Sequence, residues 1–201
     1  MLATQLVFLH GFGEDERVWA DFLPFHTWPF PTICPAYAEW TDSATLAEYA
    51  RKIVAHLPSE ANFILVGHSM GGYIALEMAS QFPERIQKVV MLHSTFLADT
   101  EEKKINRDRT ADLLEKKGTA FFIGPFLPNL FATVSQELIA TLAERYRNLP
   151  AAGLIAATKA MRDRSDFTVF VQMTDIPLLF IMGEQDALIS PESITRFVKK
   201  S

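Results

Sequence analysis

Short apolar runs that alternate with helical patterns are the feature that most constrains what this chain can fold into. Continuous apolar runs lie at residues 6–9, 63–66, 89–92 and 178–182, and a weaker one lies at 31–37. Runs this short and this continuous are typical of strands that are buried on both faces. The sequence therefore predicts about five strands.

Helical patterns separate these runs. Apolar residues spaced by three and four predict a helix from Ser43 to Pro58 and another from Met70 to Pro83. Asp15 is the expected cap of a short helix, and Ser190 the expected cap of a last one, with Pro191 as its first residue. Strands that alternate with helices predict an α/β protein, in which helices cover both faces of a parallel sheet.

Residues 97–172 interrupt this alternation. Their pattern predicts helices at 100–117, 135–148 and 150–162 instead of strands. An insertion of this length between two strands of one sheet favours a lid or cap. We therefore divide the chain into a core at 1–96 and 173–201 and a helical lid at 97–172.

Composition excludes several classes of protein. Of the 201 residues, 49% are hydrophobic, and the net charge of −5 gives no basic excess for a nucleic-acid partner. Cys34 is the single cysteine, so an intramolecular disulfide and a cysteine metal cluster are excluded. No apolar stretch approaches 18 residues, and the first residues lack the charge of a signal peptide, so we expect no membrane span and a cytoplasmic location. The oligomeric state is left open.

The stretch Gly67-His68-Ser69-Met70-Gly71 carries the chemistry. It is a G-x-S-x-G pattern between a predicted buried strand and a predicted helix. A nucleophile on such a turn projects its hydroxyl above the sheet, and small neighbours allow the strand and helix to approach. The pattern predicts that Ser69 is a nucleophile. The alternative is a glycine-rich turn in which the serine is incidental.

A second glycine turn, His10-Gly11-Phe12-Gly13, follows the first strand. Acyl transfer requires backbone N–H groups directed at the oxyanion. We expect these donors to be Met70, which follows the nucleophile, and Phe12, in the loop after the first strand. The acidic run Glu14-Asp15-Glu16 is interpreted as the start of a helix and not as a metal site.

Together these motifs resemble the α/β-hydrolase superfamily, and in particular its carboxylesterases and enol-lactonases. Residues 6–13 are similar to the oxyanion strand and loop, residues 63–72 to the nucleophile elbow, and residues 160–166 with Ile176-Pro177 to the exit of the lid. The resemblance implies a strand order of 2-1-3-4-5, with the site at the carboxyl edge of the sheet. Asp186, in the stretch Met182-Gly183-Glu184-Gln185-Asp186, is then the acidic member of a catalytic triad.

The histidine of that triad departs from the family pattern. The family order is serine, aspartate, histidine, and no histidine follows Asp186 in the sequence. We expect the base in a loop beyond Ser201, after one more strand. His93, at the end of the fourth strand, is the alternative base within the chain. The other histidines are expected in structural or surface positions: His10, His26, His56 and His68.

The sequence therefore predicts a serine hydrolase that cleaves small, largely apolar esters or lactones through an acyl-enzyme on Ser69. No metal or organic cofactor is expected, and the only expected partner is the small-molecule substrate. Candidate pocket residues are aromatic: Trp19, Phe121, Phe122 and Phe126. Two alternatives stay open. One is another reaction of this superfamily, such as carbon–carbon bond hydrolysis, thioester hydrolysis or haloperoxidase-like chemistry, and the other is a non-catalytic protein that binds a small molecule.

Overall fold

The computed structural model describes residues 2–133 and 135–197. One parallel sheet organises them, in the order β2-β1-β3-β4-β5, which confirms the predicted order. Its five strands are β1 (Ala3–Leu9), β2 (Thr32–Ile33), β3 (Ala61–His68), β4 (Ile86–Leu92) and β5 (Leu178–Ile181). β2 is much shorter than the predicted 31–37, since only Thr32 and Ile33 pair with β1.

Strand β1 shows why the continuous apolar runs predicted buried strands. Val7 and Leu9 belong to the main hydrophobic core, whereas Leu6 and Phe8 pack with Trp19 in a smaller cluster. Successive side chains of a strand point to opposite faces, so both faces of β1 are covered. The ring centroids of Phe8 and Trp19 are 5.1 Å apart.

The helices around the sheet begin and end where capping chemistry allows. The core helices are α1 (Leu46–His56) and α2 (Met70–Gln81), and α8 (Pro191–Thr195) follows β5. The predicted start of α1 at Ser43 is wrong, because Thr45 and Glu48 form a capping box that fixes the first turn at Leu46. Asp15 caps a short 3-10 helix (Glu16–Trp19), as predicted, by accepting from the Arg17 N–H.

The segment between β4 and β5 is helical, as the sequence pattern predicts. It contains α3 (Glu101–Lys117), α4 (Thr119–Phe126), α5 (Gln136–Tyr146), α6 (Ala151–Arg162) and α7 (Thr168–Met173). Buried side chains of α4 and α6 belong to the same hydrophobic core as β1 and β3. Gly153 allows α6 to pack closely against Ala38, because a Cβ at this position would lie 2.2 Å from the Ala38 carbonyl oxygen.

Buried ion pairs also stabilise the helical segment between β4 and β5. The Asp99 carboxylate is fully buried and pairs with Arg164 at 2.7 Å and with Arg107 at 3.1 Å. The Arg164 side chain donates in turn to the Leu97 and Met161 carbonyl oxygens. These contacts join the chain that leaves β4 to the chain that leaves α6.

Across residues 2–133 and 135–197, no helix is both long enough and apolar enough to cross a membrane.

Candidate active site

Ser69 lies on the turn between β3 and α2, with φ 50° and ψ −115°. A non-glycine residue at positive φ costs on the order of 1–3 kcal/mol, so the surrounding contacts must hold it there. Two of them come from the β4 side: the Ser69 N–H donates to the Leu92 carbonyl at 3.0 Å, and the Ser69 carbonyl accepts from the Ser94 hydroxyl at 2.8 Å. The Ser69 hydroxyl therefore projects from a turn whose backbone is held by its neighbours.

The glycines of the turn are required by close approach of the backbone. A Cβ at Gly67 would lie 2.4 Å from the Gly71 carbonyl oxygen, and a Cβ at Gly71 would lie 2.2 Å from that of Leu9. At Gly72 it would lie 2.2 Å from the Ser94 hydroxyl. Real Cβ atoms do not approach other atoms this closely, so α2 packs against β1 and β3 only because these residues lack side chains.

The loop that follows β1 lies beside this turn. Leu9 pairs in register with Gly67, so residues 10–13 leave the sheet next to the elbow. Met70 opens α2, a helix of 12 residues, and its N–H is one of those that no helical carbonyl satisfies. The backbone N–H groups of Phe12 and Met70 thus belong to neighbouring strand ends, the placement expected of oxyanion donors.

Glu14 connects that loop to the elbow. Its Oε1 accepts from the Gly11 N–H at 2.5 Å and from His68 Nδ1 at 2.6 Å. Burial alone raises the pKa of the Glu14 carboxyl, but the charge and hydrogen bond of His68 and the Gly11 N–H hold it below its usual range. Sequence analysis assigned Glu14 to the start of a helix. The signal that it missed is a contact with a residue 54 positions away.

Asp186, after β5, is hydrogen-bonded through both carboxylate oxygens. Oδ2 accepts from His93 Nδ1 at 3.0 Å, and Oδ1 accepts from the N–H groups of Leu188 and Ile189 at 2.9 Å each. Burial alone raises the pKa of Asp186, but these hydrogen bonds outweigh it and hold the pKa below the usual value. Asp186 is therefore a carboxylate that orients an imidazole.

His93 lies next to Ser69 across the edge of the sheet. His68 pairs in register with Leu92, so Ser69 and His93 follow at adjacent strand ends, and neighbouring strands lie about 4.8 Å apart. His93 has φ 45°, and within the described residues only Ser69 and His93 combine a side chain with positive φ. Ser69, His93 and Asp186 thus follow one another at the carboxyl ends of β3, β4 and β5.

Three other histidines, His10, His26 and His56, have the structural or surface positions expected of them. His10 is buried and stacked on Tyr37, with ring centroids 3.7 Å apart, and its Nδ1 donates to the Gly11 carbonyl. Burial lowers the pKa of His10, which therefore stays neutral. His26 and His56 are exposed.

A cleft of about 610 Å³ opens beside His93 and Asp186. One wall consists of residues 183–187, and the other consists of residues 130–132 from the helical insertion. Apolar side chains (Leu130, Phe131 and Ala132) therefore face polar ones across the cleft. Of the three residues that follow one another at the strand ends, His93 and Asp186 line this cleft.

The four aromatic residues predicted to line a pocket are separated in the structure. Phe122 and Phe126 lie against Phe12, with ring centroids 5.8 Å and 5.7 Å away. Phe121 is 56% exposed on the outer side of α4, and Trp19 is buried against Phe8. Only Phe122 and Phe126 are thus brought to the oxyanion loop, because the helical turn of α4 directs Phe121 away from it. As for metals, residues 2–133 and 135–197 contain no group of three or more His, Cys, Asp or Glu side chains that could bind one.

The sequence profile described as alpha/beta hydrolase fold matches residues 9–201. The chain belongs to the α/β-hydrolase family. The match spans the loop at residues 10–13, the turn around Ser69 and Asp186, and it confirms the resemblance drawn from the motifs.

Relatives in this family have different activities. The chain is 28% identical over 200 residues to the 2-succinyl-6-hydroxy-2,4-cyclohexadiene-1-carboxylate synthase of Enterobacter sp. (strain 638), covering 90% of this chain and 75% of the relative. It is 26% identical over 202 residues to the pimeloyl-[acyl-carrier protein] methyl ester esterase of Photobacterium profundum, covering 92% and 78%.

Solved structures have the same fold. A thermophilic esterase from Thermogutta terrifontis with malate bound has a TM-score of 0.84 at 24% identity, covering 98% of this chain and 77% of that one. The enol-lactonase from Burkholderia xenovorans LB400 has a TM-score of 0.80 at 18% identity, covering 94% and 76%.

Proposed function

We propose that this chain is a serine hydrolase that cleaves small, largely apolar carboxylic esters or lactones through an acyl-enzyme on Ser69. The observation that carries the proposal is the backbone of Ser69, at φ 50° on a turn between a buried strand and a helix N-terminus. Strain of this kind concentrates at functional sites, and here it lifts a hydroxyl above the sheet edge beside the oxyanion loop.

The reaction has two steps. In the first, the Ser69 hydroxyl attacks the ester carbonyl and gives its proton to a histidine, while the backbone N–H groups of Phe12 and Met70 stabilise the oxyanion. The alcohol then leaves with that proton, and Ser69 holds the acyl group. In the second, the same histidine activates a water, which releases the acid and restores the hydroxyl. Each step uses only protein groups, substrate and water.

Asp186 would fix the tautomer of the histidine and stabilise the imidazolium that forms. The contact between Asp186 and His93 supports His93 as the base within residues 1–201. Its Nδ1 donates to Asp186, which leaves Nε2 as the acceptor for the serine proton. The alternative is a base other than His93, since the family order places the histidine after the aspartate. Substitution of His93 separates the two and is described in the Discussion.

The substrate class rests on the cleft and on the relatives. Leu130, Phe131 and Ala132 give the cleft an apolar wall for an acyl or alkyl group, and His93 and Asp186 give it a polar end. A methyl ester esterase is among the relatives, which favours ester hydrolysis. Because another relative is a synthase, a reaction of this family other than ester hydrolysis is the second candidate.

A fluorophosphonate probe tests the nucleophile. We expect the probe to label the chain, Ser69→Ala to abolish labelling, and Ser80→Ala, an exposed serine near the end of α2, to leave labelling unchanged. A panel of p-nitrophenyl esters of increasing chain length then reads the substrate class. Labelling that persists in Ser69→Ala contradicts the proposal, and Ser69-dependent labelling without ester turnover supports the second candidate.

A further inference from the structure

A part-buried ion pair joins the two parts of the site that act on the substrate carbonyl. Glu14 belongs to the oxyanion loop and His68 immediately precedes Ser69; their side chains are 12% and 28% exposed. We propose that Glu14 is a positioning residue of the reaction. It fixes the loop that carries Phe12 against the Ser69 turn, while protonated His68 cancels its charge at the oxyanion site. This inference rests on the proposed function.

The first support is connectivity. A single oxygen, Glu14 Oε1, accepts hydrogen bonds from the Gly11 N–H and from His68 Nδ1. Gly11 precedes the oxyanion donor Phe12, and His68 precedes the nucleophile. One carboxylate oxygen therefore sets the distance between a donor for the oxyanion and the atom that attacks the carbonyl.

The second support is the packing around Gly11. A Cβ at Gly11 would lie 2.8 Å from Glu14 Oε1, 3.0 Å from His68 Nδ1 and 3.3 Å from Ser69 Cβ. The carboxylate, the imidazole and the nucleophile thus converge on one glycine. Without Glu14, the Gly11 N–H and His68 Nδ1 would lose their acceptor in a part-buried place, and the loop would shift to find another.

The third support is electrostatic. A bare carboxylate next to the oxyanion site would oppose the negative charge that develops there, and poorly solvated charges interact more strongly than those in water. Burial alone lowers the pKa of His68, but the charge and hydrogen bond of Glu14 and the charge of Asp186 raise it above its usual value. With His68 protonated the pair is neutral; once His68 loses its proton, the pair is left with a net negative charge.

The direction of the pH dependence follows. The pair is complete only between the pKa of Glu14, which is lowered, and the pKa of His68, which is raised. As the pH rises through the pKa of His68, the oxyanion becomes less stable, so acylation of Ser69 should slow. The pair thus adds an alkaline limb to the pH–rate profile, whereas protonation of the catalytic base produces an acid limb.

Other titratable groups face the pair, and those whose pKa is shifted do not supply this limb. The ring of His93 lies 6.4 Å from that of His68 and is hydrogen-bonded to Asp186. The lowered pKa of Asp186 means that this carboxylate is already ionised on the alkaline side. Three more groups act on Glu14 or pack beside it, and each is neutral at the pH values concerned. They are His10, whose pKa is lowered by burial, and Tyr37 and Tyr146, whose pKa values are raised by burial.

Two substitutions separate position from charge. Glu14→Gln keeps an oxygen that can accept from Gly11 but removes the charge, whereas Glu14→Ala removes both. We expect Glu14→Ala to lower kcat for p-nitrophenyl acetate by about tenfold to 10²-fold, with KM changed by less than about twofold, because the loop and the nucleophile lose their alignment. Glu14→Gln should lose less at neutral pH, and its alkaline limb should move to lower pH together with the pKa of His68. Glu16→Gln, a neighbouring acid outside this hydrogen-bond network, is the matched control.

A merely structural role would lower the rate equally at all pH values and leave the alkaline limb of Glu14→Gln at the same pH as in the unsubstituted chain, which would overturn the proposal. Nuclear magnetic resonance titration of the His68 ring gives a readout independent of activity. Its pKa should fall in Glu14→Gln and stay constant in Glu16→Gln, and an unchanged pKa in both overturns the ion pair. If hydrolysis survives Ser69→Ala, the proposed function has failed, and the ring titration still decides whether the pair exists.

Discussion

The two sides of the site are built differently. On the side of β1 and β3, the turn that carries Ser69 lies on strands covered by helices, and every residue of α2 from Met70 to Ala79 is buried. On the side of β5, Leu179 and Ile181 are 54% and 45% exposed, and Asp186 follows on a short loop. Ser69 is therefore fixed by close backbone packing, whereas Asp186 is fixed by three hydrogen bonds. The difference teaches that two parts of one site can fail for different reasons. The turn around Ser69 should be disrupted by added side-chain volume, whereas the position of Asp186 should be disrupted by the loss of hydrogen bonds.

The largest effect is expected on the Asp186 side. Asp186→Asn should lower kcat by about 10⁴, as in the best-studied triad, because the amide no longer fixes the tautomer of the base. The fold should stay intact, since the amide oxygen of asparagine can still accept from the N–H groups of Leu188 and Ile189. Circular dichroism checks the fold and ester turnover checks the rate. Near-normal turnover would show that the acid lies elsewhere.

His93 belongs to the same test. If it is the base, His93→Ala should lose activity to a similar extent, and added imidazole should restore part of it. His56→Ala, an exposed histidine at the end of α1, is the control and should keep full activity. Full activity in His93→Ala would show that His93 is not the base.

The next effect belongs to the nucleophile side and is one of stability. Gly71→Ala would place a Cβ 2.2 Å from the Leu9 carbonyl oxygen, so α2 would have to move away from β1, at a cost of about 3 kcal/mol or more. Gly124→Ala in α4 meets nothing within 4 Å. It should change stability by less than about 0.5 kcal/mol, because Pro125 offsets the helical preference of alanine. Urea unfolding measures both, and equal effects would contradict the account of the elbow.

A pair of leucines sharpens the comparison between the strands. Leu65 in β3 is fully buried, so Leu65→Ala should lower the free energy of unfolding by about 2–5 kcal/mol. Leu179 in β5 is half exposed, and Leu179→Ala should lower it by about 1 kcal/mol or less. Thermal or chemical unfolding of the two variants gives the difference. A large loss in Leu179→Ala would show that β5 is covered in solution.

The smallest effect concerns the helical insertion. Tyr146 is the one buried residue of α5, whereas α6 buries six. We expect the amides of α5 to exchange with solvent faster than those of Leu65 and Val90, and the amides of α6 to fall between them, because local opening is easiest where few apolar contacts hold a helix. Hydrogen exchange followed by mass spectrometry checks this. Protection of α5 equal to that of Leu65 would argue against a moving lid.

Local patterns predicted the parts of the molecule that local physics decides. The apolar runs at β1, β3 and β4 and the glycine turn around Ser69 are local in sequence, so the sheet and the elbow could be predicted. The contact of Glu14 with His68 could not be predicted, because the two residues come together only after β1 and β3 pair.

Other differences have similar causes. The start of α1 was misplaced because Ser43 and Thr45 are both good caps, and only Thr45 has a glutamate at the third helical position. The helix α4 was not predicted, because Gly124 and Pro125 favour a loop when they are read alone. Trp19 was predicted to line the pocket because it follows a glycine turn next to the site. Its side chain packs instead against Phe8, on the face of β1 opposite to the main core.

The backbone of Ser69 has an evolutionary consequence. At φ 50° and ψ −115°, glycine would be comfortable and serine is not, so replacing Ser69 by glycine should make the folded chain more stable while removing its hydroxyl. Random mutation under selection for folding alone would favour that replacement. A descendant that had given up catalysis and only bound a ligand would thus drift to glycine at this position. Under the proposed function, the chain would give up some thermal tolerance to keep a reactive hydroxyl at this position.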